Sequence, residues 1–372
     1  MRIPFLNLHK LNKRFENNFK SQFDTFLTSG HYILGTKLTE FENAFASYCN
    51  VSFCIGTGNG LDALTLILKA YIELGKLNIG DQVIVPANTF IATLLSVKQA
   101  GLIPVLIEPD EDSFIINVRN VQQKITPKIK AIITTHLYGQ VYGMDELKEF
   151  CSNAQLLLIA DAAQAHGAID QNGNKAGSIA HAAAFSFYPS KNLGALGDGG
   201  AITTNNTELA NCIKKLRNYG TSEKYRNELI GINSRLDELQ AAFLIEKLNL
   251  LDDDNNKRRE IALRYSNEIT NENIKLPFWN GSKNHVFYVY VIRVKNRINF
   301  CNYLNENQIG HMIHYPIPPH KQKALTNEFK NQSFPITEKI SNEIVSIPLN
   351  PILEVSEIDY IIQVLNNYTC QE

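Results

Sequence analysis

Several features common in specialised chains are missing here. The charge is nearly balanced: 36 Lys and Arg against 37 Asp and Glu give a formal net charge of −1. No global field therefore draws the chain to nucleic acid or to an anionic membrane. Basic clusters such as Lys257-Arg-Arg259 are short and sit in helix-like stretches, as solvated helix faces do. No apolar run reaches the roughly 18 residues that suggest a membrane span. The first ten residues lack the apolar core of a secretory signal. The six cysteines include no C-x-x-C pair and suggest no disulfide framework. Reduced thiols in a cytoplasmic protein are the expectation. There is no internal repeat, low-complexity tract or long linker.

What is present is a soluble globular composition, 44% hydrophobic and 20% charged, over 372 residues. That length suits one large domain plus a smaller one. Short apolar runs at 51–55, 82–86, 103–107, 130–135, 156–160, 183–188 and 200–203 read as seven strands. Helical spacing occupies 11–28, 38–49, 60–74, 90–99, 143–153 and 206–217. This alternation predicts a mostly parallel α/β sheet covered on both faces. The runs 183–188 and 200–203 have no helix between them, which makes one strand antiparallel. Helices are expected at 236–250 and 254–270, the second beginning after the acidic segment Asp252-Asp-Asp254. A strand at 286–294 and helices at 297–307 and 355–367 complete the pattern. The predicted division is a cofactor-binding α/β domain over 1–250 and a smaller α+β domain over 251–372.

Ligands in open α/β sheets collect beyond the carboxyl ends of the strands. Five such ends carry notable residues: Gly56–Gly60, Pro86–Phe90, His136–Gln140, Asp161–Gln164 and Tyr188–Lys191. Lys191 follows a buried run on a glycine-rich loop, Ser186-Phe-Tyr-Pro-Ser-Lys-Asn-Leu-Gly-Ala-Leu-Gly-Asp-Gly-Gly200. Asp161 ends the run Leu156-Leu-Leu-Ile-Ala160. An amine that can form a Schiff base and a carboxylate that keeps a pyridine nitrogen protonated are the two groups pyridoxal phosphate requires.

Each feature also has a plainer reading. Gly56-Thr-Gly-Asn-Gly60 is a phosphate cradle at a helix N-terminus or a simple tight turn. Asp81 leaves a dinucleotide fold conceivable, although it precedes a strand instead of ending one. Phe90 stacks on a planar ligand or fills the core. Asp161 holds the cofactor or caps a helix, and Gln164 lies one turn on. Ser186 could donate to a phosphate; Ser190 is less well placed. Lys191 could be an exposed loop lysine, but its setting between a buried strand and four glycines argues otherwise. His314-Tyr-Pro-Ile-Pro-Pro-His320 lacks a third ligand with metal spacing, so no metal site is expected. Its prolines make a rigid loop, either structural or presenting polar rings to a cleft.

Nearly the whole chain resembles the DegT/DnrJ/StrS sugar-nucleotide aminotransferases, a group of fold-type I pyridoxal-phosphate enzymes built like aspartate aminotransferase. The resemblance runs through Ile3-Pro-Phe-Leu-Asn-Leu8, Ser29-Gly-His-Tyr-Ile-Leu-Gly35, Asn59-Gly-Leu-Asp-Ala-Leu64, Pro86-Ala-Asn-Thr-Phe90 and His136-Leu-Tyr-Gly-Gln140. It continues through Asp161-Ala-Ala-Gln-Ala-His166, Gly231-Ile-Asn-Ser-Arg-Leu-Asp-Glu-Leu-Gln-Ala-Ala242, His314-Tyr-Pro and Ser346-Ile-Pro-Leu-Asn350. It implies that Lys191 carries the cofactor and shuttles the proton. Asp161 would pair with the ring nitrogen, Gln164 would reach the ring oxygen and Phe90 would stack on the ring. Asn59, Gly60, Leu61 and Ser186 would hold the phosphate. It implies a homodimer with shared sites, in which Asn233 reaches the neighbouring phosphate and Arg235 is a candidate for the carboxylate of the amino donor, L-glutamate. Tyr188 stands where carbon-4 enzymes of the group usually have histidine, which suggests a dTDP-3-keto-6-deoxyhexose aminated at carbon 3. Tyr188, His314 and Tyr315 would surround that sugar, and the pathway would serve a surface glycan. The configuration at carbon 4 stays open. So do the rival readings: a sister enzyme acting at carbon 4, on a UDP-sugar or on a keto-inositol, a non-catalytic cofactor-binding regulator, and a nucleotide-binding dehydrogenase.

Overall fold

A computed structural model describes residues 1–370. Seven strands form the central sheet: β1 (Phe53–Thr57), β2 (Gln82–Pro86), β3 (Ile103–Ile107), β4 (Ile129–Thr135), β5 (Leu157–Asp161), β6 (Ala182–Ser186) and β7 (Gly200–Thr204). Their order is β1-β7-β6-β5-β4-β2-β3. β7 runs antiparallel to both neighbours and the other pairs are parallel. The sheet and its one reversed strand are those expected from the apolar runs.

Successive side chains on a strand face opposite ways, and that alternation builds two cores. Ile132, Leu158, Ala160, Ala183 and Phe185 enter one core with Phe41, Phe45 and Phe187. Ala131, Ile133, Ile159, Ala182 and Ala184 enter the other, with Leu64 and Leu66 of the helix Gly60–Glu73 and Leu94 of the helix Ile91–Gln99. By the same parity, Thr135, Asp161 and Ser186 belong to the second face, at the carboxyl ends of β4, β5 and β6. The site is thus aimed by strand register before any loop is considered.

After a short hairpin of β8 (Thr221–Glu223) and β9 (Arg226–Asn227), a three-stranded antiparallel sheet follows. It has the order β10 (Ile274–Lys275), β11 (Tyr290–Val294), β12 (Ile344–Ile347). A third core lies against it, containing Tyr265, Tyr290, Phe300 and Leu365. It also takes in Ile3 from the other end of the chain. Ile3 donates to the Gln308 carbonyl at 2.9 Å and accepts from Gly310 at 2.7 Å.

Three expectations are corrected. The helix at 11–28 is two helices, Leu8–Lys13 and Glu16–Ser29. Phe15 breaks the run because its ring turns inward onto Phe19, while Arg14 is held by the Asp254 carboxylate at 2.6 and 2.8 Å. The helix expected from residue 254 starts at Leu251, so the three aspartates form its first turn, where the helix dipole favours negative charge. The strand expected at 286–294 starts only at Tyr290. Val286 and Tyr288 instead donate to the carbonyls of Gly139 and Tyr138, at 2.9 and 3.0 Å. Phe287, between them, takes a left-handed φ of 44°. The chain bends there and delivers Tyr288 to the sheet ends.

Phe45 is fully buried and its ring meets Phe185 and Phe187 edge-on at 5.0 and 5.6 Å. Phe45→Ala should cost roughly 3–5 kcal/mol, read as a lower midpoint in denaturant unfolding. An unchanged midpoint would remove this cluster from the core.

Candidate active site

A cavity of about 930 Å³ opens beyond the carboxyl ends of the large sheet's strands, closed on its other side by Arg258, Tyr288, His314, Tyr315 and Leu349. Four of the five sequence-predicted strand ends reach it, through Asn59, Phe90, Asp161 and Lys191 among others; His136–Gln140 does not, and β4 contributes Thr135 instead.

The loop after β6 is tightly folded. The Lys191 amide donates to the Tyr188 carbonyl and the Ala195 amide to the Phe187 carbonyl, both at 2.8 Å. Any side chain at Gly194 would sit 2.4 Å from the Pro189 carbonyl oxygen, so only glycine lets the loop fold back. Asn192 fastens the loop from outside, donating to Asn255 at 2.8 Å and to the Val286 carbonyl at 3.0 Å. Lys247, buried, donates to the Gly194 carbonyl and to Asn12. Burial lowers its amine to about 8. With its backbone fixed, Lys191 places Nζ 4.1 Å from the centroid of the Tyr288 ring.

Asp161 is 7% exposed. One carboxylate oxygen accepts from Thr93 Oγ1 at 2.7 Å and the other from the Ala163 amide at 3.2 Å. Burial raises its pKa, against the lowering effects of those two bonds and of Lys191. The Ala163 bond is a local turn of the kind a capping aspartate makes, but the Thr93 bond reaches across to another element. A buried acid that accepts only from a hydroxyl and an amide is matched by a cationic ligand such as a pyridinium.

Beyond the end of β1, three strands along the sheet from β5, Asn59 caps the helix Gly60–Glu73, accepting from the Asp62 amide at 2.8 Å. A Cβ on Gly60 would fall 2.8 Å from Ser186 Cβ, and one on Gly200 would fall 2.5 Å from the Asn59 carbonyl. Backbone amides at a helix start, a hydroxyl and no side chain in the way fit a phosphate. Leu61 also lines the cavity. Asp81 offers no rival dinucleotide site. It closes a turn before β2, accepting from the Asn78 amide at 2.7 Å.

Phe90 is 48% exposed at the cavity, its ring 4.9 Å from that of Tyr315. It is not a core residue. Gln164 is buried and spoken for on both sides: its carbonyl accepts from the Tyr138 amide at 2.6 Å and its amide donates to Tyr315 Oη at 3.0 Å. One amide hydrogen remains for a ligand. Tyr188 and His314 line the cavity too. His314 pairs with Ser346 at 2.8 Å and His320 with Glu338 at 3.1 Å, so the two rings serve different partners. Two predicted residues lie elsewhere. Asn233 is exposed, bridging to Asn218, and Arg235 donates to Asn218 at 2.8 Å. Neither lines the cavity of its own chain.

Sequence reasoning missed Tyr288, Thr89, Thr93, Thr135 and Arg258. It also set Ser190 aside, yet Ser190 lines the cavity 3.3 Å from Tyr288 Oη. Arg258 is buried and donates to the carbonyls of Phe287 and Leu349, each at 3.1 Å. Strand parity could have flagged Thr135, two residues beyond Ile133. Nothing local marked Tyr288, which depends on the bend at Phe287.

Comparison with known proteins gives these residues a context. The model of the DegT/DnrJ/EryC1/StrS aminotransferase family matches residues 13–366. The chain belongs to this family. A dTDP-3-amino-3,6-dideoxy-α-D-galactopyranose transaminase from Aneurinibacillus thermoaerophilus is 50% identical over 366 residues, covering 98% of this chain and 99% of its own length. The structure of DesV from S. venezuelae, in complex with a ketimine intermediate, superposes with a TM-score of 0.93 at 38% identity, covering 98% of both chains. NtdA from Bacillus subtilis, with bound cofactor PMP, gives 0.90 at 30% identity, covering 98% of this chain and 84% of its own. The family fold is that of pyridoxal-phosphate aminotransferases, as the sequence segments implied. Among the described residues, no helix is long and apolar enough to cross a membrane.

Burial lowers His136 and His314 to about 4 and His166 to about 3. Unfolded, each titrates near ~6.5. Between these values the unfolded chain binds more protons. Their stabilisation is therefore whole above about 6.5 and is lost as pH falls toward 4. The raised Asp161 acts in the opposite sense and offsets part of it. The melting temperature of the cofactor-free protein should fall steeply between pH 6.5 and 4. A flat profile would mean that the rings are charged in the folded state.

Proposed function

We propose that the chain is a pyridoxal-phosphate-dependent transaminase that moves an amino group from L-glutamate to carbon 3 of a dTDP-3-keto-6-deoxyhexose, giving a dTDP-3-amino-3,6-dideoxyhexose. One observation carries this reading: half of all positions, over nearly the full length, match a transaminase named for a dTDP-3-amino-3,6-dideoxyhexose. The cavity is equipped for the chemistry, with an amine and a buried carboxylate on neighbouring strand ends.

Bound pyridoxal phosphate supplies an electron sink next to the carbon that loses or gains a proton. The residues of the chain do the rest. Asp161, held on two sides, offers its carboxylate to the ring nitrogen. The start of the helix at Asn59, Gly60 and Leu61, together with Ser186, holds the phosphate. Phe90 would cover the ring, and the free hydrogen of Gln164 would serve the phenolic oxygen. Lys191 Nζ takes the proton from the α-carbon of glutamate in one half-reaction and handles the proton at carbon 3 of the sugar in the other. The rigid loop beneath it limits the amine to a short arc, which favours proton transfer over diffusion. Tyr188, His314 and Tyr315 face the sugar, whose hydroxyls suit a ring-lined pocket.

The homodimer belongs to the same reading. Asn233 and Arg235 do not line their own cavity, in keeping with completing that of a second subunit. Residues 1–250 and 251–372 serve as the two domains, with Ile3 reaching across to the second. A cytoplasmic setting follows from the substrates.

Lys191→Ala should retain bound cofactor yet lose turnover by at least about 10³-fold; substantial turnover would sink the assignment. Asp161→Asn should bind the cofactor more weakly and lose most of the rate. The sugar is tested by converting the enzyme to its pyridoxamine form with glutamate and adding keto sugars, both carbon-4 epimers included. Visible absorbance should return with the 3-keto and not with the 4-keto compound. The reverse would keep the family and move the amine to carbon 4.

A further inference from the structure

Thr93 Oγ1 donates to Asp161 at 2.7 Å. Behind it, Thr89 Oγ1 lies 2.8 Å from Thr93 Oγ1 and 3.0 Å from Thr135 Oγ1. All three hydroxyls are buried, at 0%, 1% and 6% exposure for Thr93, Thr89 and Thr135. They come from three places: the first turn of the helix Ile91–Gln99, the loop after β2 and the last residue of β4. The chain of bonds closes on itself through the sheet, because Thr135 is the direct partner of Asp161 in the β4–β5 register.

The direction of these bonds is fixed by chemistry. A hydroxyl has one hydrogen. An ionised carboxylate only accepts, so Thr93 spends its hydrogen on Asp161. Thr93 must then accept from Thr89, and Thr89 from Thr135. Three dipoles line up with their positive ends toward the carboxylate. Each bond polarises the next, by an amount on the order of 10–30%. A protonated Asp161 would lose this alignment, since its own hydrogen could point at Thr93 and reverse the chain.

We infer that Thr135, Thr89 and Thr93 form a one-way hydroxyl chain that holds Asp161 ionised and correctly turned before any ligand arrives, with Thr93 as its positioning residue. Besides this chain, the Ala163 amide and the charge of Lys191 favour the ionised form, against the burial that opposes it. The titratable side chains that act on it are Lys191, from the loop after β6, and Tyr315, from the proline-rich loop. The use made of the ionised acid, holding a pyridinium, rests on the function proposed above. The geometry does not.

The test begins with cofactor-free protein, following the Asp161 carboxyl by infrared or carbon-13 NMR titration against Asp161→Asn. Thr93→Val keeps the shape and removes the hydroxyl. It should raise the titration midpoint by about one pH unit, a tenfold change in proton affinity. Thr93→Ser should return it to the wild-type value. Thr89→Val, which leaves the Thr93 bond in place, should shift it the same way by less, and this variant decides the matter if Thr93→Val does not fold. A midpoint unmoved in Thr93→Val, or no rescue by serine, would overturn the proposal. Titration with pyridoxal phosphate gives the second reading: Thr93→Val should bind several-fold more weakly, the deficit widening at lower pH. If wild-type protein binds no pyridoxal phosphate while the midpoints shift as stated, the proposed function fails and the hydroxyl chain stands.

Discussion

A negative charge buried at the end of a strand is the constraint on which the rest of the site depends. Asp161 is largely withdrawn from water where it sits, and desolvation pushes its carboxyl toward the neutral form. Its nearest donors are a hydroxyl and an amide, worth less to an anion than a cation would be. A protonated pyridine would give that carboxylate a cation in direct contact. The neighbouring features follow the same economy of position: a helix start for a phosphate, an aromatic face beside it, and an amine on the next strand end.

The lysine works because its loop cannot relax. Asn192 ties it to Asn255, which in turn donates to the His166 carbonyl at 2.8 Å. Lys247 holds Gly194 from beneath. These contacts join the loop to the helices Glu238–Leu248 and Leu251–Glu268. A reactive amine on a flexible stem is thereby mounted on a base set by two helices distant in sequence from its loop.

Much of this was legible in the sequence, for a definite reason. Apolar runs with turn residues after them mark parallel strands and their carboxyl ends, and the ends carried Asn59, Phe90, Asp161, Gln164 and Lys191. What escaped depends on contacts between distant segments. Tyr288 reaches the cavity because the chain bends at Phe287 and bonds to the loop after β4, so an apolar run that reads as strand is only half strand. The helix break at Phe15 comes from packing on Phe19, and Ile3 joins a core built from the other end of the chain. The threonine hydroxyls are ordinary residues one at a time; only register and parity bring them to one carboxylate. Asn233 and Arg235, named from the resemblance, carry no cavity contact within one chain.

The antiparallel strand β7 has a consequence for how the molecule comes together in time. It slots between β1 and β6, pairing Phe53 with Thr204, and at the strand edge Ser52 donates to Asn205, 153 residues away. Contacts so distant in sequence carry a high loop-closure cost and slow folding. Gly200, at the start of this strand, packs against Asn59, so the phosphate cradle is shaped only once β7 is home. A cofactor that grips the cradle therefore has nothing to grip on a partly folded chain. A ligand that binds the finished sheet and not the partly folded chain would draw the population toward it by mass action.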